Sequence, residues 1–183
     1  MSNIANLGEL SVKTRSPDSS VHVQLTMKSG PQLTFDSRGY RSHSETSLAG
    51  QIAAAVSAGL RARHQVSSKA YDEWTEAMSS QDSTVVTQWR QHLSGFAESF
   101  SATVESPRGL AEVALVGRYE VTLTIRRRSL AHYGPEVTAS DIAAALAALL
   151  AKQGRYLVQA YRDAEDDPTS LDGGDNTSGG HSG

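Results

Sequence analysis

An internal repeat limits the possible folds of this chain more than anything else in it. Shifting the sequence by 90 residues lays one stretch on another without a gap. Ser16-Pro17 falls on Ser106-Pro107, Val23 and Leu25 fall on Val113 and Leu115, and Leu33, Thr34 and Phe35 fall on Leu123, Thr124 and Ile125. Further on, Ile52 to Ala55 meets Ile142 to Ala145, and Ala58 and Leu60 meet Ala148 and Leu150. Matches between alanine-rich helices arise easily by chance. The strand matches weigh more, because they keep the same alternate positions pointing inward.

Each copy reads as three strands and a helix. Val21 to Met27 alternates apolar and polar residues, as a strand with one buried face requires. Turn chemistry follows at Lys28 to Pro31, and Gln32 to Asp36 resumes the alternation. The second copy runs Leu110 to Val116, a turn at Gly117-Arg118, then Tyr119 to Ile125. A weaker strand precedes each pair, Leu10 to Arg15 and Phe100 to Glu105, and each is closed by Ser-Pro. The helices carry single apolar stripes: Leu48, Ile52, Val56 and Leu60 in the first, and Ile142, Leu146, Leu149, Leu150, Leu157 and Tyr161 in the second. Thr138 is the expected N-cap of that second helix. Between the copies, Tyr71, Trp74 and Met78, and then Val85, Trp89, Leu93 and Phe96, form two short helical stripes. The expected division is therefore 1–66 for the first repeat, 67–98 for a helical linker, 99–162 for the second repeat and 163–183 for a tail.

Three strands and one helix bury too little apolar surface to stand alone. The reading is thus an α+β fold of two βββα repeats with antiparallel sheets, packed together as an intramolecular pseudo-dimer. Charge is divided unevenly along it. All 17 Lys and Arg residues lie before Asp163, against 14 of the 20 acidic ones, so a weakly basic body carries an acidic tail. The tail, rich in Gly, Ser and Asp with Leu171 its one sizeable apolar residue, reads as disordered. With no cysteine, thiolate metal sites and disulfides are excluded. The absence of a basic region leading into an apolar run near Met1 makes a cytoplasmic location the expectation.

The stretch Thr103 to Gly117, then Val121 to Ile125, then the helix from Ser140, resembles the YbaB/EbfC family of nucleoid-associated proteins. Those proteins run helix, three strands, helix. Residues 82–162 resemble a whole family unit, and 9–66 resemble one without its leading helix. The resemblance implies a small protein without enzymatic activity that dimerises and binds double-stranded DNA with little sequence preference, and hence a nucleoid-associated location. Further association of chains is compatible with it. Related folds among accessory proteins of type VII secretion imply a rival role, a protein-binding adaptor or chaperone without DNA as partner.

Arg126, Arg127 and Arg128 form the densest basic cluster, expected at the end of a strand with Arg127 on its apolar side. Arg38 aligns with Arg128, and Arg41 lies close by. These five are the candidate nucleic-acid contacts, a phosphate-binding rim repeated on both halves. The same pattern also suits a solvated strand end that resists edge pairing. Arg61 and Arg63, late in the first helix, read as complements of its dipole, and Trp74 and Trp89 as packing residues. The six histidines are scattered, with no HExxH spacing, and no phosphate-binding loop or nucleophile elbow occurs. Neither cofactor, metal nor membrane is expected, and no catalytic residue is assigned.

Overall fold

The computed structural model describes residues 11–26, 30–78 and 94–166, with the backbone alone for 70–78, 161 and 164–166. In chain order these are β1 (Ser11–Arg15), β2 (Val21–Thr26), β3 (Gly30–Phe35), α1 (Ser37–Ser42), α2 (Glu45–Met78), α3 (residues 94–99), β4 (Ser101–Glu105), β5 (Ala111–Val116), β6 (Glu120–Ile125), α4 (Ser129–His132) and α5 (Pro135–Asp166). The fold is α+β, with two antiparallel three-stranded sheets ordered β1-β2-β3 and β4-β5-β6.

The two sheets share one register. Val12 faces Leu25 and Val21 faces Phe35 in the first; Ala102 faces Leu115 and Ala111 faces Ile125 in the second, each pair 90 residues on. The Ser-Pro turns set it. Ser16 N–H donates to Val21 O at 2.9 Å while Ser16 Oγ accepts from Val21 N–H at 3.0 Å. Ser106 makes the same pair of bonds with Ala111, at 2.8 and 2.9 Å. Proline at the next position presets the turn's φ. Two residues further on, the backbone enters the left-handed region in both copies, at Ser19 (φ 63°) and at Gly109 (φ 66°).

Alternation decides which faces meet. Val21, Val23 and Leu25 in β2, and Ala111, Val113 and Leu115 in β5, are all at most 3 % exposed. Leu48, Ile52, Val56 and Leu60 cover them from α2, and Ile142, Leu146 and Leu149 from α5. Each such side chain contributes about 1.5–3 kcal/mol by leaving water.

Each long helix packs on the first two strands of its own copy and on the third strand of the other. α2 lies on β1, β2 and β6, while α5 lies on β4, β5 and β3. One continuous apolar core results, drawn from both copies. A pair of differences shows how closely the halves have adjusted to each other. The buried Ser57 Oγ of α2 accepts from Val121 N–H of β6 at 3.1 Å. Ninety residues away, the corresponding strand residue is Pro31, which has no N–H, and the corresponding helix residue is Ala147, which has no acceptor. Where the donor is gone, so is its partner.

Several boundaries differ from the sequence reading. β4, β5 and β6 each begin one residue later than expected. α5 starts at Pro135, where a missing N–H costs nothing in a first turn, so Thr138 is not a cap but a fully buried residue inside the helix. α2 continues unbroken past residue 66 to Met78, so Arg61 and Arg63 sit mid-helix, away from the end of its dipole. Tyr71, Trp74 and Met78 belong to that same helix. The remaining linker stripe, Val85, Trp89 and Leu93, lies outside the described residues. Of the expected tail, 163–166 continue α5, and 167–183 also lie outside them. Two short helices, α1 and α4, were not expected at all.

Candidate functional site

All five candidate arginines stand where a third strand hands over to its helix. β6 ends at Ile125, and the chain turns through Arg126 to Arg128 before entering α4. The expected continuation of the strand, with Arg127 on its apolar side, does not occur. Leaving the sheet lifts all three side chains into solvent. Arg126 N–H donates to Leu110 O at 2.8 Å, which closes the corner. Its guanidinium sits 3.1 Å from Glu105 Oε1, a pair two-thirds open to water and so worth little in stability. Arg128 occupies the N-cap position of α4 at φ 68°, a left-handed conformation that a non-glycine residue adopts at a cost of about 1 kcal/mol.

In the first half, Asp36 caps α1, its Oδ2 accepting from Gly39 N–H at 3.1 Å. Arg38 and Arg41 then project from this single turn, both exposed. Glycine is required at 39 because a Cβ there would stand 2.6 Å from Ser20 Cβ, on the β1–β2 turn. Arg38, Arg41, Arg127 and Arg128 have no carboxylate partner among the described residues.

What brings the two groups together is Tyr40, a residue that the sequence reading passed over. It follows Gly39 on α1 and is 5 % exposed. Its hydroxyl donates to Tyr133 O at 2.7 Å and lies 2.9 Å from the hydroxyl of the fully buried Thr138. Burial raises the Tyr40 pKa above its usual value and Glu45 adds to this, against a lowering by the Thr138 hydroxyl. The phenol therefore keeps its proton and remains a donor. Through these bonds α1, which carries Arg38 and Arg41, lies against the α4–α5 corner that follows Arg126 to Arg128. Both arginine groups thus occupy the same end of the molecule, where β3 and β6 finish.

A second cluster at this end was also missed, because its members are far apart in sequence. Asp18 Oδ1 accepts from Ser16 Oγ (2.6 Å), Ser20 N–H (3.0 Å) and Ser20 Oγ (2.7 Å), and Oδ2 lies 2.9 Å from His43 Nε2. His43 Nδ1 is 2.9 Å from Ser47 Oγ. Burial alone would raise the Asp18 pKa, but the Ser16 and Ser20 bonds and the nearby His43 outweigh it and hold the carboxyl down at about 2. A serine, a histidine and a carboxylate in contact invite a catalytic reading. Asp18 Oδ1, however, is held by the turn itself, and His43 Nε2 lies as close to Ser20 Oγ of that turn, at 2.9 Å, as to Asp18 Oδ2. The cluster ties the β1–β2 turn to the start of α2. The second half ties the same turn with Asp141, whose Oδ1 accepts from Arg108 N–H at 3.0 Å.

Among the described residues no group of three or more His, Asp or Glu is placed to hold a metal ion, and no helix is long and apolar enough to cross a membrane. Comparison with family models, with curated proteins and with solved structures finds no match to this chain, which leaves its own geometry to indicate what the arginine-bearing end does.

Proposed function

We propose that this chain is a DNA-binding protein without enzymatic activity, a tandem YbaB/EbfC-like protein whose two units act as an intramolecular pseudo-dimer. Arg38, Arg41, Arg126, Arg127 and Arg128 contact the phosphates of double-stranded DNA with little sequence preference. The observation that carries this reading is the Tyr40 bridge, which gathers arginines from both halves at one end of the fold. Four of them have no acidic partner among the described residues, and the fifth shares an exposed one. The nearby Asp36 carboxylate is engaged in capping α1. Arginine can read guanine edges as well as phosphates, but these corners offer only helices of six and four residues, too short to hold side chains along a groove, which favours phosphate contact with little sequence preference. The reciprocal packing of α2 on β6 and α5 on β3 supports the pseudo-dimer. A nucleoid-associated location follows from this activity.

Binding to a mixed-sequence duplex, followed by fluorescence anisotropy over a salt series, tests it. Four or five phosphate contacts predict a slope of log K against log salt of about −4. Replacing Arg38, Arg41, Arg127 and Arg128 with alanine together should bring that slope close to −1 and leave the fold intact. Failure of the intact chain to bind duplex at low salt refutes the proposal.

A further inference from the structure

The opposite end of the molecule carries a different surface. Beyond His64 and Gln153 the two long helices run past the sheets, and between them, α3 and the β5–β6 turn lies a groove of about 1030 Å³. Its floor is apolar, formed by Leu60, Ala97, Tyr119, Leu150 and Leu157, with Val158 at 52 % exposure on its wall. Its rim is cationic, with Arg63, Arg118 and Arg162. Arg63 is partly buried and has no carboxylate or other partner among the described residues. Arg118 Nε lies 3.2 Å from Glu98 Oε1 but out of line with it, so its buried N–H has no acceptor. The other arm of Arg118 meets His64 Nε2 at 3.3 Å, which supplies no negative charge.

We propose that this groove is a docking site for an acidic amphipathic helix of a protein partner. Among the described residues three arginines stand against one carboxylate, above a floor of leucine and tyrosine, which matches an occupant with an apolar stripe flanked by Glu or Asp. A half-buried guanidinium facing the groove without a negative partner, as Arg63 does among the described residues, gains most from a charged acceptor. The wall contributed by α5 extends from Ala147 to Arg162, about 22 Å at 1.5 Å per residue, which accommodates about four helical turns. An amphipathic helix laid in an apolar groove is a recurring mode of peptide recognition. This site does not depend on DNA binding, and the two lie at opposite ends of the strands.

The probe is a fluorescein-labelled 16-residue helical peptide with leucines at i, i+3, i+4 and i+7 and glutamates beside them, titrated with the full chain. A control peptide has lysine for every glutamate, and oleate serves as a competitor. The glutamate peptide should bind at least tenfold more tightly than the lysine peptide. Arg162→Glu, on an exposed helical turn, should weaken it several-fold, and Arg63→Glu with Arg162→Glu at least tenfold, with duplex-DNA affinity of both variants unchanged. Equal binding of both peptides, or no binding because residues 79–93 or 167–183 already fill the groove, overturns the proposal. So does oleate binding without peptide binding, which would assign the groove to a lipid-like anion.

Discussion

Arg128 shows what one residue can report about a site. Its φ of 68° costs about 1 kcal/mol relative to glycine, and its exposed side chain gives nothing back in packing. A residue held in a conformation that suits glycine better is a pointer to use. Arg128→Gly should therefore stabilise the fold by about 1 kcal/mol, a rise of about 2–4 °C in melting temperature for a chain of this size. The same change should weaken duplex binding and make its salt slope shallower by about one. Calorimetry and anisotropy on one variant read both effects. Unchanged DNA affinity would remove Arg128 from the interface. Ser19, the other non-glycine residue at positive φ among the described ones, shares a turn position with Gly109, and its side chain makes none of the cluster's bonds.

Between elements, the contact of α2 with β6 is held by more than apolar area. Ser57 Oγ accepts from Val121 N–H at 3.1 Å, and both residues are buried. Ser57→Ala removes the acceptor and leaves the donor, which costs about 1–3 kcal/mol. Chemical denaturation should show that loss with an unchanged m-value. Adding Val121→Pro, which copies the pairing of Ala147 with Pro31, should recover part of it. If Ser57→Ala is neutral, the halves are joined by apolar contact alone. Strand pairing was legible from the sequence because alternation and the Ser-Pro turns are local and each sheet is built from neighbouring strands. The short helices α1 and α4 were not: neither four nor six residues can display a helical period, and both exist because the corners they fill pack onto other elements.

For the molecule as a whole, the crossed packing makes each half incomplete. Separated from its partner, the first half would expose the stripe of α2 that covers β6, and the strand β3 that α5 covers. Several large side chains at about 1.5–3 kcal/mol each would be left in water, a sum comparable with the entire stability of a domain. Fragments 1–85 and 86–183 expressed apart should each lack a cooperative unfolding transition, and mixing them should restore one. A first fragment that melts cooperatively on its own would show that the repeats are autonomous domains. The same crossing places the two proposed binding surfaces. The strands β3 and β6 end at the arginine corners, whereas the far halves of α2 and α5 outrun the sheets and frame the groove.

Legible in the residues alone were the 90-residue correspondence, the buried alternate positions of the strands and the apolar stripes of the long helices as far as Leu60 and Leu149. Each of these follows from spacing along the chain, either a period of two or 3.6 residues or a fixed offset of 90. The surroundings of Arg127 were not legible, since it was read onto a strand that ends at Ile125. The packing of distant segments was needed to show that Tyr40 bonds to the other half, that Asp18 meets His43, and that Arg63 and Arg118 face one groove. These contacts join residues up to 98 positions apart. No local pattern encodes them, because they arise only when two sheets and two helices compete for the same apolar surface and settle on crossed partners.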